Sequence, residues 1–150
     1  MAKEIDGQRH IIKHIRKEGG YARKWSSPYV VGVPDLITCG IGPGALFIEV
    51  KMEKKWYKDT IRAIQFTEKQ TEEAQKIIEG GGRCIGLIIM YGGPQNVEIA
   101  PVRMPAPREK LRVRLSELQR GCFKWRSEVG FVRWLSDWCH RTNDGRRNVD

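Results

Sequence analysis

The chain has 150 residues and a mass of 17.3 kDa, enough for one ordinary domain with a real core and too short for two large ones. Lys and Arg number 27 against 18 Asp and Glu, giving a net charge of +9 and a pI near 9.6, which favours a polyanionic partner, nucleic acid before an anionic membrane surface. Residues 1–17 carry charge throughout and no apolar run approaches bilayer length, so neither a signal peptide nor a transmembrane helix is expected. A cytoplasmic protein is therefore expected, and compactness and basicity fit a bacterial cell or phage-infected host.

Ile11, Ile12 and Ile15 recur at helical spacing and Gly19-Gly20 ends the pattern, so a first amphipathic helix is expected there. A short strand follows over 21–25, broken by Ser26-Ser27-Pro28. From Pro34 the chain reads as a hairpin, with 35–38 leading into a glycine-rich turn over 40–44 and 45–50 returning as an apolar strand. The stretch KMEKKWYKDTIR is too polar for core and reads as a surface loop leading into a helix. Thr67-Glu68-Lys69-Gln70 has the form of a capping box, and that helix runs through Ala74, Ile77 and Ile78 to Gly80-Gly81-Gly82. CIGLIIM, residues 84–90, is a continuous apolar run of strand length, expected at the centre of the sheet because both its faces read as buried. Gly92-Gly93-Pro94 then turns the chain towards a strand at 97–102. The order implies an α/β fold, a mixed central sheet flanked by helices.

Pro101, Pro105 and Pro107 mark a boundary, dividing the chain into a core over 1–100, a Pro-rich linker over 101–108 and a basic helical extension over 109–150 for DNA contact or dimerisation. In the extension Leu111, Leu115 and Leu118 form one helical stripe, and Phe131, Trp134, Leu135 and Trp138 a second, with Ser127 as its cap. Residues 101–150 hold 12 Lys and Arg against 6 Asp and Glu, so the basic charge is concentrated there. Trp125, Trp134 and Trp138 read as packing anchors rather than base stackers. Cys39, Cys84, Cys122 and Cys139 include no C-x-x-C pair, and His10, His14 and His140 do not supply zinc spacing, which leaves reduced thiols.

The chemistry lies in GVPDLITCGIGPGALFIEVK, residues 32–51. Along a strand Glu49 and Lys51 share one side while Ile48 and Val50 take the other, and a hairpin can bring Asp35 alongside. Two carboxylates with an amine on a half-buried face are stabilised when a divalent cation sits between the acids. Hard oxygen ligands that leave coordination sites open suit Mg²⁺ or Mn²⁺ and phosphodiester chemistry. The alternative is a surface ion pair across a hairpin.

Pro34-Asp35 followed by Glu49-Val50-Lys51 resembles the Pro-Asp…(Asp/Glu)-x-Lys signature of the PD-(D/E)xK nuclease superfamily. With Gly19-Gly20, Lys24-Trp25, Gly32-Val33-Pro34-Asp35-Leu36, Phe47-Ile48-Glu49-Val50-Lys51 and Gln70, the pattern over roughly residues 5–91 is similar to the VRR-NUC branch and related small phage and bacterial nucleases. The resemblance implies a restriction-endonuclease-like core. It implies that Asp35 and Glu49 hold metal with the carbonyl of Val50, that Lys51 is the catalytic lysine, and that Gln70 faces the site from the start of its helix. It also gives Lys24 the place of a basic residue before the Pro-Asp. The family has a glutamate on its first helix; here Gln8 lies at or near that position and Glu4 one turn earlier. Either Glu4 is the outer metal ligand or Gln8 takes a weaker version of its role.

Local readings compete at some of these positions. A capping box accounts for Gln70 with no catalysis, and Glu4 can serve simply as a helix-end acid. Lys54, Lys55, Trp56, Tyr57, Lys58 and Arg62 suit phosphate contact and base stacking, or form a solvated loop. The expected function is a Mg²⁺-dependent DNA endonuclease, Mn²⁺ substituting, acting on double-stranded or branched DNA such as flaps and four-way junctions as a homodimer or higher homo-oligomer. A sequence-specific endonuclease on the same core and an inactive DNA-binding module are the alternatives; a membrane-surface role is disfavoured.

Overall fold

Alternation of side chains along two adjacent strands sets the layering of the protein. The computed structural model describes residues 4–26, 29–55, 58–93, 96–124 and 130–147. Helix α1 (Glu4–Lys17) is followed by β1 (Tyr21–Lys24), β2 (Leu36–Gly40), β3 (Gly42–Lys54), β4 (Ile61–Ile64), α2 (Glu68–Glu79), β5 (Arg83–Tyr91) and β6 (Val97–Arg103). The chain continues through β7 (Leu111–Arg114), α3 (Leu115–Gln119), β8 (Phe123–Lys124) and α4 (Phe131–Thr142). The main sheet has the order β1-β2-β3-β5-β6-β8, and β4 pairs with β7 in a second, two-stranded sheet. Among the described residues only β3 and β5 pair in parallel in the main sheet; a parallel pair needs a crossover, and the crossover carries β4 and α2. As the sequence implies, the fold is mixed α/β and the 84–90 run lies centrally, buried throughout.

Leu46, Ile48 and Val50 of β3 and Ile85, Leu87 and Ile89 of β5 pack with Ile11 and Ile15 of α1 and Phe131, Leu135 and Cys139 of α4. The opposite side of β5 presents Cys84, Ile88 and Met90 to α2, the β4-β7 ribbon and α3. Glu49 and Lys51 alternate with Ile48 and Val50 and so belong to this second face. Residues on both sides of the prolines share one sheet and one core: β6 runs through Pro101 to Arg103, β8 pairs with β6, and α4 joins the α1 cluster.

Two expectations are corrected. Leu111, Leu115 and Leu118 do not form one helix; 111–114 is a strand and only 115–119 is helical. Leu111 is buried and Arg112 exposed, a period of two that pairing with β4 selects over the leucine spacing. The stretch from Lys51 is likewise no simple loop into a helix: β3 continues to Lys54, and 61–64 is a strand. Lys51 and Glu53 lie on the face of β3 that bears Glu49, opposite the face packed against α1.

Elsewhere the punctuation is as read. Helix α1 stops before Gly19, at φ +89°, and α2 is capped by Thr67 with the reciprocal bonds of a capping box. Helix α4 begins after Gly130, while Ser127 and Trp125 lie outside the described residues. Its first turn is met by Glu18, whose carboxylate accepts from the N–H groups of Gly130 (3.1 Å) and Val132 (3.3 Å). After α4, Asp144 takes two bonds from Arg83 (2.9 and 3.0 Å), and the same guanidinium donates to the carbonyls of Ile41 and Pro43. Among the described residues no helix is long and apolar enough to cross a membrane.

Candidate active site

The site is built on the antiparallel pair β2-β3. Leu36 pairs with Ile48, so Asp35, one residue ahead of β2, falls opposite Glu49. Two bonds fix it there: its carbonyl accepts from the N–H of Trp25 (2.8 Å) and its Oδ2 from the N–H of Val50 (2.8 Å). The carboxylate thus takes over the role of a strand partner just before β2 begins. Val50 meets the site through its backbone, its side chain being buried in the α1 cluster.

Glu49 is 1% exposed. Its Oε1 accepts from Gln70 Nε2 at 2.9 Å, Oε2 has no hydrogen-bond partner among the described residues, and the Asp35 carboxyl is near enough to raise its pKa. Burial, then the neighbouring Asp35 carboxyl, push the Glu49 carboxyl up to about 10, with Lys51 opposing and Glu4 adding to the rise. Carboxyl groups so arranged call for a positive charge between them.

Gln70 does both things the sequence left open. Its Oε1 accepts from Thr67 N–H (2.8 Å) in the capping box while its Nε2 holds Glu49. The opposing loop is pinned to the same helical turn by Gly32, at φ +88°: a Cβ there would stand 2.5 Å from the Lys69 carbonyl carbon and 2.6 Å from its oxygen. Lys51 lies two residues beyond Glu49, with Nζ 5.7 Å from the centre of the Phe66 ring. Phe66 fits because β5 has Gly86 opposite Glu49, where a Cβ would lie 3.0 Å from Phe66 Cζ and 2.9 Å from Val102 Cγ2. Gly32, Phe66 and Gly86 carry no charge to signal a site; only the glycine before Pro-Asp is visible in the motif.

Glu4, at the start of α1, is half-buried and close enough for its pKa to be raised by burial and then by Asp35, with Lys51 and the backbone of Met52 opposing. Gln8 is buried one turn later and its Oε1 has no partner among the described residues. No three His, Cys, Asp or Glu groups among the described residues are close enough together to hold an ion, so Glu4 does not close a three-carboxylate cluster with Asp35 and Glu49. The donor set is two carboxylates and a strand backbone. The orphaned Oε2 of Glu49 fits it to a hard cation that keeps most of its waters.

Of the basic residues singled out in the sequence, Lys24, Lys54 and Lys58 are exposed. Arg62 is half-buried, bonded to the Lys54 carbonyl (3.2 Å) and 3.8 Å from Glu53. Lys55 turns inward: its ammonium pairs with Glu98 and bonds Asn96, in a largely buried pair. Trp56 lies outside the described residues.

No family model matches the chain, and neither does any curated protein. Among solved structures, the fold is similar to that of Hjc, a Holliday junction resolvase from the archaeal hyperthermophile Archaeoglobus fulgidus. The TM-score is 0.53 with 16% identity, over 78% of this chain and 92% of that one. The mixed sheet with flanking helices is thus of the restriction-endonuclease-like kind found in that resolvase.

Proposed function

We propose that the protein is a divalent-metal-dependent endonuclease that hydrolyses phosphodiester bonds in DNA and selects branched structure, a flap or a four-way junction. The observation that carries this reading is the buried Glu49, opposite Asp35 and bonded to Gln70 with one oxygen unpartnered, two residues from a lysine on the same strand face. A surface ion pair would have no reason to bury a carboxylate beside another.

Asp35, Glu49 and the Val50 carbonyl would hold Mg²⁺ or Mn²⁺, leaving room for water and phosphate oxygens. Bound there, the cation supplies polarisation of the phosphate and a lowered pKa for an attacking water. Gln70 holds Oε1 of Glu49 so that Oε2 is the oxygen offered. Lys51 sets a positive charge where charge builds on the phosphate as the water oxygen attaches and the P–O bond breaks. Lys24, Lys54 and Lys58 supply phosphate contacts around the site. Paired cuts at a junction would take two copies of the chain; the apolar stripe of α4 is buried in its own core.

The test is cleavage of labelled duplex, single-stranded, flap, splayed-arm and four-way-junction DNAs with Mg²⁺, Mn²⁺ or chelator. Asp35→Ala and Lys51→Ala should each lower the rate by at least about a hundredfold while keeping the wild-type circular dichroism. A variant cutting at the wild-type rate would refute the assignment.

A further inference from the structure

The edge strand β1 carries a second feature beside the carboxylates. Ala22 is fully buried under α1, so the period of two turns Tyr21, Arg23 and Trp25 to the other face, the one that bears Phe47 and Glu49. Tyr21 is 50% exposed and Trp25 36%. With Lys24, Ser26 and Ile37 they line an open cleft of about 370 Å³. The Trp25 ring lies 4.7 Å from that of Phe47, and the backbone N–H of Trp25 donates to the Asp35 carbonyl. The cleft therefore ends at the residue whose carboxylate enters the site.

Aromatic, cation, aromatic is the order along this face, and among the described residues no acid lines the cleft. Aromatic faces take bases and the cations take phosphates. Tyr21 and Trp25, four residues apart, stand roughly 13.6 Å from each other along the strand, about four times the roughly 3.4 Å rise of a stacked duplex strand. A duplex hides its base faces, so the row has nothing to stack on in one; a strand whose bases have been drawn apart matches it.

We propose that this cleft binds unpaired nucleotides next to the phosphate that is cut, with Trp25 and Tyr21 stacking on bases and Arg23 and Lys24 on phosphates. This rests on the nuclease reading of the adjoining carboxylates, and it names what that enzyme recognises: a locally unpaired strand rather than the branch point as a shape.

Binding is measured in EDTA, where DNA stays intact, with the full chain, a duplex, and a splayed arm carrying 2-aminopurine at its first unpaired position. Wild type should change the 2-aminopurine fluorescence and Trp25→Ala should not. Trp25→Ala and Tyr21→Ser should weaken splayed-arm binding about tenfold and duplex binding by less than about twofold, with Trp25→Phe restoring most of the loss. Tyr21 is exposed, so Tyr21→Ser decides the matter should Trp25→Ala unfold. Equal losses on both DNAs would reduce the cleft to a general cationic surface and overturn the proposal. Unchanged affinity for both would overturn it too, and leave the β1 edge to another occupant, such as a peptide strand. Failure of the nuclease reading would appear elsewhere, as Glu49→Gln cutting like wild type with Mg²⁺.

Discussion

Glu49 shows what single residues sacrifice for the site. Its carboxyl is raised from 4.5 to about 10 in the folded protein by burial and Asp35. A carboxyl raised in this way is protonated where the unfolded chain is ionised, so its contribution to metal-free stability is greatest below 4.5 and falls as the pH climbs towards 10. Glu49→Gln should therefore raise the metal-free Tm at pH 8 and leave it little changed at pH 4. A lower Tm for the variant at pH 8 would show that the carboxylate is not strained there. Gly32 is the uncharged counterpart. Gly32→Ala meets both a positive φ and the Lys69 backbone, and should destabilise by about 2 kcal/mol while lowering the cleavage rate more than substitution of an exposed loop residue does. Unaltered thermal unfolding would show that the loop relaxes freely. Asp35, Glu49 and Lys51 were legible as a group because alternation and hairpin geometry are local rules. Lys55 was not, because a lysine in a charged run reads as surface and its buried partner Glu98 lies on another strand.

That pair belongs to the scale of elements, where it ties the end of β3 to β6. Burial works against the Glu98 charge, but bonds from Cys122 and Lys55 hold its pKa below the usual value, so its stabilisation is present at neutral pH and lost as the pH falls below the ordinary carboxylate range. Lys55→Met should lower stability by about 3 kcal/mol in denaturant unfolding, because it strands a buried carboxylate. Unchanged stability with weakened DNA binding would instead return Lys55 to the proposed DNA-contacting surface. The elements most securely read were those with one clear signal, such as α2 between its capping box and Gly80. The segment 111–118 carried two signals, leucines at helical spacing and a strand alternation at its start. Which one prevails depends on β4, itself hidden in a stretch that reads as loop. Pairing of that kind is set by tertiary contact and leaves no local trace.

For the whole molecule, Arg83 is the junction. It starts β5, holds two carbonyls of the β2-β3 turn and grips Asp144 beyond α4, with its own pKa raised by that carboxylate against the effect of burial. Arg83→Met should lower stability by about 3 kcal/mol, and Asp144→Asn by less, since the two carbonyl bonds survive; equal effects would mean that the carbonyl bonds add nothing. The contact between Glu18 and the first turn of α4 spans 112 residues of chain. Closing so long a loop is entropically expensive and is rewarded only after the sheet between its ends exists. The layer over β3 and β5 is thus completed late in folding. A nascent chain still lacking α4 leaves its most apolar sheet face partly uncovered, so aggregation competes with folding until that helix emerges from the ribosome.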